Sequence, residues 1–301
     1  MKLKYFSIFK SFLDYKIYNK PFLAGFKLTY KCNLKCHHCP FWKNKGDDLS
    51  FKNVKDVLDN MYYEGARVII FEGGEPTLWK DNNFTFNDVL DYAKKKFISV
   101  NFTTNGLNGF EYNADAIWVS FDGLEKNHNK IRGEGVFEKV IKNLEDYRRK
   151  KIFFVNKRKV FANICINSYN VHEIPKLIIF LKKFIDGITI QFYYPYENDF
   201  SLFVNKKERV WILNKLKELK KRGYPILDSL SCLDDLKYNT WKCHPELLIN
   251  AEPDGTIIKG CYVKNRGEIN CKYCGFAAHV ELSKAFDLKF GSILTGIKAF
   301  C

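Results

Sequence analysis

Short apolar runs alternate along this chain with stretches in which apolar residues recur at helical spacing. Ala24–Leu28, Val68–Phe71, Ile98–Phe102, Ala116–Phe121, Val160–Ile166 and Ile188–Tyr193 read as buried strands bounded by turn residues. Between them, Ser50 reads as an N-cap, Val54, Val57, Leu58, Met61 and Tyr62 share one helical face, and Gly65 stops the helix. Phe86–Lys95, Val136–Lys150, Ile174–Phe184 and Asn205–Lys221 carry the same period. This alternation predicts a parallel sheet wrapped by helices. Ligands of such sheets gather at the carboxyl ends of the strands.

Both ends of the chain depart from the pattern. Residues 3–18 place Tyr5, Phe9, Phe12 and Leu13 on a helical stripe, widened by Phe6, Ile8 and Ile17. Lys2, Lys4, Lys10, Lys16 and Lys20 flank it against one acid, Asp14, and Pro21 ends the segment. Such a stripe docks on a sheet or lies in a membrane interface; the sequence leaves both open. Residues 225–301 hold six of the ten cysteines, with turn pairs such as Asp254-Gly255. The expected organisation is an N-terminal amphipathic helix over residues 1–22, an α/β unit over 23–224 and a small C-terminal domain over 225–301.

Composition narrows the class. No apolar run approaches the roughly 18 residues of a membrane span, and residues 1–23 lack the small-residue cleavage site of a signal peptide. The expectation is a cytoplasmic protein, with peripheral membrane contact if residues 1–20 lie on a lipid surface. In a reducing compartment clustered cysteines read as metal ligands or reactive thiols. The net charge of +15 is spread along the chain, without a long basic block or a nucleic-acid-binding motif.

The chemistry centres on Cys32, Cys36 and Cys39, in C-x3-C-x2-C spacing after the first strand. Three thiolates so close together hold three irons of a [4Fe–4S] cube and leave the fourth open for reaction. Zinc, with His37 or His38 as a fourth ligand, is the alternative. Further segments follow strands in order: Phe71-Glu-Gly-Gly-Glu-Pro76, Thr103-Thr-Asn-Gly106, Val119-Ser-Phe-Asp-Gly123 and His128-Asn-Lys-Ile-Arg-Gly133.

Together these motifs resemble the radical S-adenosylmethionine (SAM) superfamily. The resemblance implies a partial (β/α)6 barrel and a [4Fe–4S] cluster whose open iron is chelated by SAM. It implies reductive cleavage to a 5′-deoxyadenosyl radical that abstracts hydrogen from an unactivated carbon. His38 then stands where an aromatic residue lies near the adenine. Gly73, Gly74 and Glu75 would meet the methionine ammonium, Ser120 and Asp122 the ribose and methionine, and Arg132 the methionine carboxylate. Thr104, Asn105 and Asn167 would border the pocket. A low-potential donor such as ferredoxin or flavodoxin would supply electrons.

Cys243, Cys261, Cys271 and Cys274 form a second group that resembles the auxiliary-cluster regions called SPASM or twitch domains. It has fewer cysteines than the full SPASM pattern. It would hold an auxiliary [4Fe–4S] cluster, with a four-cysteine zinc site as the rival and Cys232 or Cys301 as substitute ligands. Cys165, inside a strand, reads as a small buried apolar residue. The amphipathic start and the charge suggest a membrane lipid as substrate, through carbon–carbon bond formation or another lipid modification. The alternatives are a peptide or cofactor precursor, and, from another class, a non-catalytic iron–sulfur or zinc protein. Tyr193-Tyr-Pro-Tyr196 is expected to line the substrate cavity.

Overall fold

The computed structural model describes residues 2–153, 158–264 and 267–301. In chain order its strands are β1 (Leu23–Thr29), β2 (Val68–Gly73), β3 (Lys80–Asp81), β4 (Phe84–Thr85), β5 (Ser99–Thr104), β6 (Ala116–Phe121), β7 (Lys159–Ile166), β8 (Gly187–Phe192), β9 (Leu248–Ala251) and β10 (Ile257–Lys259). β3 and β4 form a small separate ribbon. The other eight make one open sheet in the order β10-β9-β1-β2-β5-β6-β7-β8. All pairings in it are parallel except that of β10 with β9. The six expected strands are thus neighbours in sequence order, as a partial barrel requires.

The helices are α1 (Lys2–Tyr18), α2 (Phe51–Glu64), α3 (Phe86–Lys94), α4 (Glu125–Arg132), α5 (Val136–Phe153), α6 (Ile174–Leu181), α7 (Lys206–Lys221), α8 (Leu230–Asp235), α9 (Ala277–Phe286) and α10 (Phe290–Phe300). Ser50 caps α2 by accepting from Asn53 N, and Gly65 ends it at φ +125°. Helices α4, α8, α9 and α10 and strands β9 and β10 lay outside the sequence reading. They are short, or their apolar period is broken. Residues 225–301 do not stand apart from the barrel, because β9 pairs with β1 and extends the same sheet.

Strand register separates two faces. One carries Phe26, Phe71, Phe102, Val119, Ile164 and Ile190, buried against apolar faces of α2, α3, α5 and α6 in one continuous core. Burying each such side chain stabilises the fold by about 1.5–3 kcal/mol. The other face changes character along the strands. At the strand starts it is apolar and plugged. Val68 packs with Tyr15, Phe22, Leu247 and Phe286, and Ala116, Trp118 and Phe161 pack with Leu227 and Ala299. Toward the strand ends it turns polar. Lys27 lies beside Glu72, Ser120 beside Asn163, Asn163 beside Thr189, and Cys165 beside Gln191.

α1 docks on the plugged end through Ile8, Phe12 and Tyr15, with Ser11 buried alongside. The Tyr15 hydroxyl donates to Glu246 at 2.8 Å. This face is rotated from the predicted stripe: Phe6, Phe9, Leu13 and Ile17 are 68, 59, 41 and 65% exposed. The stripe is wider than the surface it meets, so one edge stays uncovered. The side chains of Lys2, Lys4 and Tyr5 lie outside those described.

A buried carboxyl joins the sheet to the C-terminal helices. Asp228 accepts from Ile190 N of β8 at 3.0 Å, and the following Ser229 caps α8. Burial, then the neighbouring Glu281, push the Asp228 carboxyl up to about 8. A folded-state pKa above the unfolded one means that the folded protein holds the extra proton. Its contribution is therefore full below the unfolded value and is lost as pH rises toward 8. Stability should fall between about pH 4 and pH 8. Asp228→Asn, which keeps the acceptor for Ile190, should flatten that part of the profile in chemical denaturation and raise stability at pH 8.

Candidate active site

The three N-terminal cysteines occupy the loop after β1, at the polar end of the inner face. Cys36 is buried, and Cys32 and Cys39 are half-buried. The loop is pinned from several sides. Gly74 N donates to Thr29 O at 2.7 Å and Glu75 N to Lys31 O at 2.8 Å. His37 N donates to Ile131 O at 2.8 Å, and the Trp42 indole to Cys36 O at 3.1 Å. Burial pushes all three thiols upward, and the Arg132 charge opposes it.

Both glycines of the turn after β2 are sterically required. A Cβ on Gly74 would sit 2.2 Å from Lys31 O, and one on Gly73, at φ +123°, 2.7 Å from Thr29 O. Glu75 is buried, and its carboxylate is consumed by the protein. Oε1 accepts from Thr104 Oγ1 at 2.9 Å, Thr77 Oγ1 at 2.8 Å and Thr77 N at 3.3 Å; Oε2 accepts from Asn105 N at 2.8 Å. Burial raises its pKa and these bonds oppose it. Asn105 in turn donates to Asn33 Oδ1 of the Cys loop at 2.7 Å. Through these bonds Glu75, Thr104 and Asn105 brace the Cys loop.

Asp122 follows β6, fully buried, and accepts from Arg132 Nε at 2.6 Å. His38 Nε2 lies 3.9 Å from the same carboxylate. Burial raises the Asp122 pKa, but Arg132, His38 and His128 hold it below the usual range. Burial, then Arg132, lowers His128 to about 3, so its ring is neutral; burial likewise lowers His38. Asp122 Oδ1 and His38 Nδ1 are buried without a hydrogen-bond partner beside the Cys loop. Unsatisfied buried polar atoms of this kind fit a polar ligand. Arg132 is committed through Nε to Asp122. Ser120 is on the inner face of β6, half-exposed. Asn167 accepts from Tyr169 N at 3.0 Å and donates to Cys165 O at 3.1 Å; it closes a local turn.

The second cysteine group gathers from three segments. Cys243 precedes β9, Cys261 follows β10, and Cys271 to Cys274 form one turn of 3-10 helix and its cap. Cys243 is pushed up to about 11 by burial, then by Cys261 and Cys271. Cys274 is pushed up to about 12 by burial, with Cys243, Cys261 and Cys271 adding to it. The four thiols therefore share one neighbourhood. Cys232 is elsewhere, buried in α8 beside Asp228 and Glu281.

The sequence reading missed the polar inner-face groups. Lys27, 1% exposed, pairs with Glu252 at 2.5 Å. Glu72 accepts from the Tyr262 hydroxyl at 3.0 Å through Oε2, and its Oε1 is buried without a partner. Cys165, read as an apolar filler, shares this face near His38 and Asp122. The available signal was a polar residue near the carboxyl end of otherwise apolar strands, on the face opposite the core positions.

Gly74→Ala should displace the backbone of Lys31. Anaerobic reconstitution should then give about four fewer irons per chain, with an unchanged far-ultraviolet circular dichroism spectrum.

The radical SAM superfamily model matches residues 26–181. An Fe-coproporphyrin III synthase of Methanosarcina barkeri is 28% identical over 223 residues, 66% of this chain and 52% of that protein. The mycofactocin maturase MftC of Mycolicibacterium smegmatis is 32% identical over 139 residues, 42% of this chain and 34% of that protein. The matched part thus spans about half of the first relative and a third of the second. Streptococcus suis SuiB bound to S-adenosylmethionine superposes with a TM-score of 0.65 at 15% identity, covering 96% of this chain and 70% of that one. The peptide complex of anSMEcpe with bound AdoMet gives 0.62 at 18% identity, covering 91% and 82%. These two likenesses concern the fold. With the family model matching more than half of the chain, the protein belongs to the radical SAM superfamily.

Proposed function

We propose that this radical SAM enzyme modifies a polar substrate, a peptide or a cofactor precursor, at an unactivated carbon. In this family the [4Fe–4S] cluster and SAM together supply a 5′-deoxyadenosyl radical for hydrogen abstraction. Cys32, Cys36 and Cys39 would hold that cluster, and Asp122, His38, Ser120 and Arg132 would border SAM. Cys243, Cys261, Cys271 and Cys274 would hold an auxiliary [4Fe–4S] cluster within residues 225–301. A ferredoxin- or flavodoxin-type donor would supply electrons.

One observation carries the choice of substrate: toward the strand ends the inner face carries the partly exposed Glu72, Ser120, Asn163, Thr189 and Gln191, beside the buried Lys27–Glu252 pair. An acyl chain laid there would strip water from these polar groups without replacing their hydrogen bonds, at a cost of several kcal/mol. A peptide or a carboxylated cofactor precursor replaces those bonds. Two relatives, a synthase of Fe-coproporphyrin III and a mycofactocin maturase, support this direction. So does the complex of SuiB with its precursor peptide, at the level of fold.

The uncovered edge of α1 favours a second, separate reading: peripheral contact with an anionic lipid surface. Phe6, Phe9, Leu13 and Ile17 are exposed there, with Lys10 and Lys16 on the same helix. α1 sits at the strand starts, whereas the Cys loop follows a strand end. Such contact would tether the protein without bringing its site to the lipid. No helix among the described residues is long and apolar enough to cross a membrane.

Reconstituted and reduced without oxygen, the protein should form 5′-deoxyadenosine from SAM and bind roughly eight irons per chain. Product equal to that of Cys32→Ala, at full cluster content, would sink the assignment. Zinc in place of half the iron would move the C-terminal cysteines to a structural zinc site. Peptide or porphyrin-type carboxylate candidates should accelerate product formation, and acceleration by lipid vesicles alone would overturn the polar-substrate reading. Vesicles containing anionic lipid should sediment the protein, and Phe6→Ser with Phe9→Ser should abolish that; no sedimentation of the unaltered chain excludes the tether.

A further inference from the structure

Cys165 is the penultimate residue of β7, on the inner face beside Gln191 of β8. Its side chain packs with Tyr193 and Leu202. One ligand-type atom each from His38, Asp122 and Cys165 lie within 4.8 Å of one another. Asp122 is fully buried, and its Oδ1 has no hydrogen-bond partner. This thiol therefore stands with the polar atoms that fit a ligand beside the Cys loop, not in the apolar core on the other face of the sheet. Burial, then the Asp122 charge, pushes the thiol well upward, so it keeps its proton at neutral pH.

A retained S–H bond has a specific use next to a radical site. It is weaker than the C–H bond of an ordinary alkyl carbon, so its hydrogen atom passes downhill to an alkyl radical. Cys32, Cys36 and Cys39 have no S–H once they ligate iron. That leaves Cys165 as the thiol of this neighbourhood, among the described residues, that can donate hydrogen.

We propose that Cys165 is a hydrogen-atom donor of this active site, quenching a carbon-centred radical held against the inner face of the sheet. The S–H bond breaks, a C–H bond forms, and a thiyl radical remains on Sγ. One electron from the low-potential one-electron reductant that serves the cluster, with one proton from water, restores the thiol. The outcome for a substrate that first lost hydrogen to the adenosyl radical is replacement of that hydrogen, not its net removal. The assignment rests on the reading of the Cys32–Cys36–Cys39 loop as the radical-forming site.

The test needs no identified substrate. In D2O the Cys165 thiol becomes S–D, while C–H groups of the protein do not exchange. SAM cleavage by the reduced, cluster-loaded protein should give 5′-deoxyadenosine enriched in one deuterium, measured by mass spectrometry. In Cys165→Ala and Cys165→Ser the deuterated fraction of whatever product forms should fall several-fold, toward background. Serine fails because its O–H bond is too strong to surrender hydrogen.

Product without deuterium from the unaltered protein, or equal enrichment in both variants, overturns the role of Cys165. No 5′-deoxyadenosine at all, with the cluster loaded, overturns the underlying reading and the donor role with it.

Discussion

A buried carboxylate, Glu75, ties the catalytic end of this molecule together. Its two oxygens receive four hydrogen bonds, from the backbone and side chain of Thr77, the hydroxyl of Thr104 and the backbone of Asn105. A buried charge is tolerable only when satisfied in this way. The requirement couples the turn after β2 to the end of β5, and Asn105 passes the constraint to Asn33 in the Cys loop. The two glycines before Glu75 let that loop lie directly on the turn. Three strand ends and the proposed cluster ligands are thereby fixed to one another before any cofactor binds.

The sheet beneath this brace has two solvents. Its outer face is packed with apolar side chains and carries the stability of the fold. Its inner face is sealed at the strand starts by α1, α9 and α10 and stays polar at the strand ends. A site that must bind a polar ligand and shield reactive chemistry from water needs both features. The same geometry separates the uncovered edge of α1 from the Cys loop, so the apolar edge that suggested a lipid substrate concerns the far end of the barrel.

Residues 225–301 complete the sheet instead of merely leaning on it. β9 continues the parallel order beside β1, and Arg209 of α7 donates to Cys274 O at 2.7 Å and to Leu236 O at 2.6 Å. The second cysteine group is consequently held against the barrel by the β9–β1 ladder and by the Arg209 side chain. Its thiols come from the flanks of a short antiparallel strand pair and a 3-10 turn, elements too brief to leave a periodic signature.

Local information in the sequence was enough for the six core strands, their order and most helices between them. These follow from apolar period, from the cap Ser50 and from the glycine stop at Gly65. It was enough also for the Cys loop and its companion motifs, because they occupy consecutive strand ends. How those motif residues spend their polar atoms is visible only in the fold. Glu75, Thr104, Asn105 and Asn167 spend their polar atoms on one another or on nearby loops, whereas Asp122 and His38 keep unpaired atoms beside the cysteines. The inner face was likewise hidden. Strand alternation marks Lys27, Glu72 and Cys165 as facing away from the apolar core, but only the packing of α1, α9 and α10 against the strand starts shows which end of that face is sealed. The faces of α1 were assigned by contact as well, since a stripe wider than its docking surface has no internal signal for which edge stays bare.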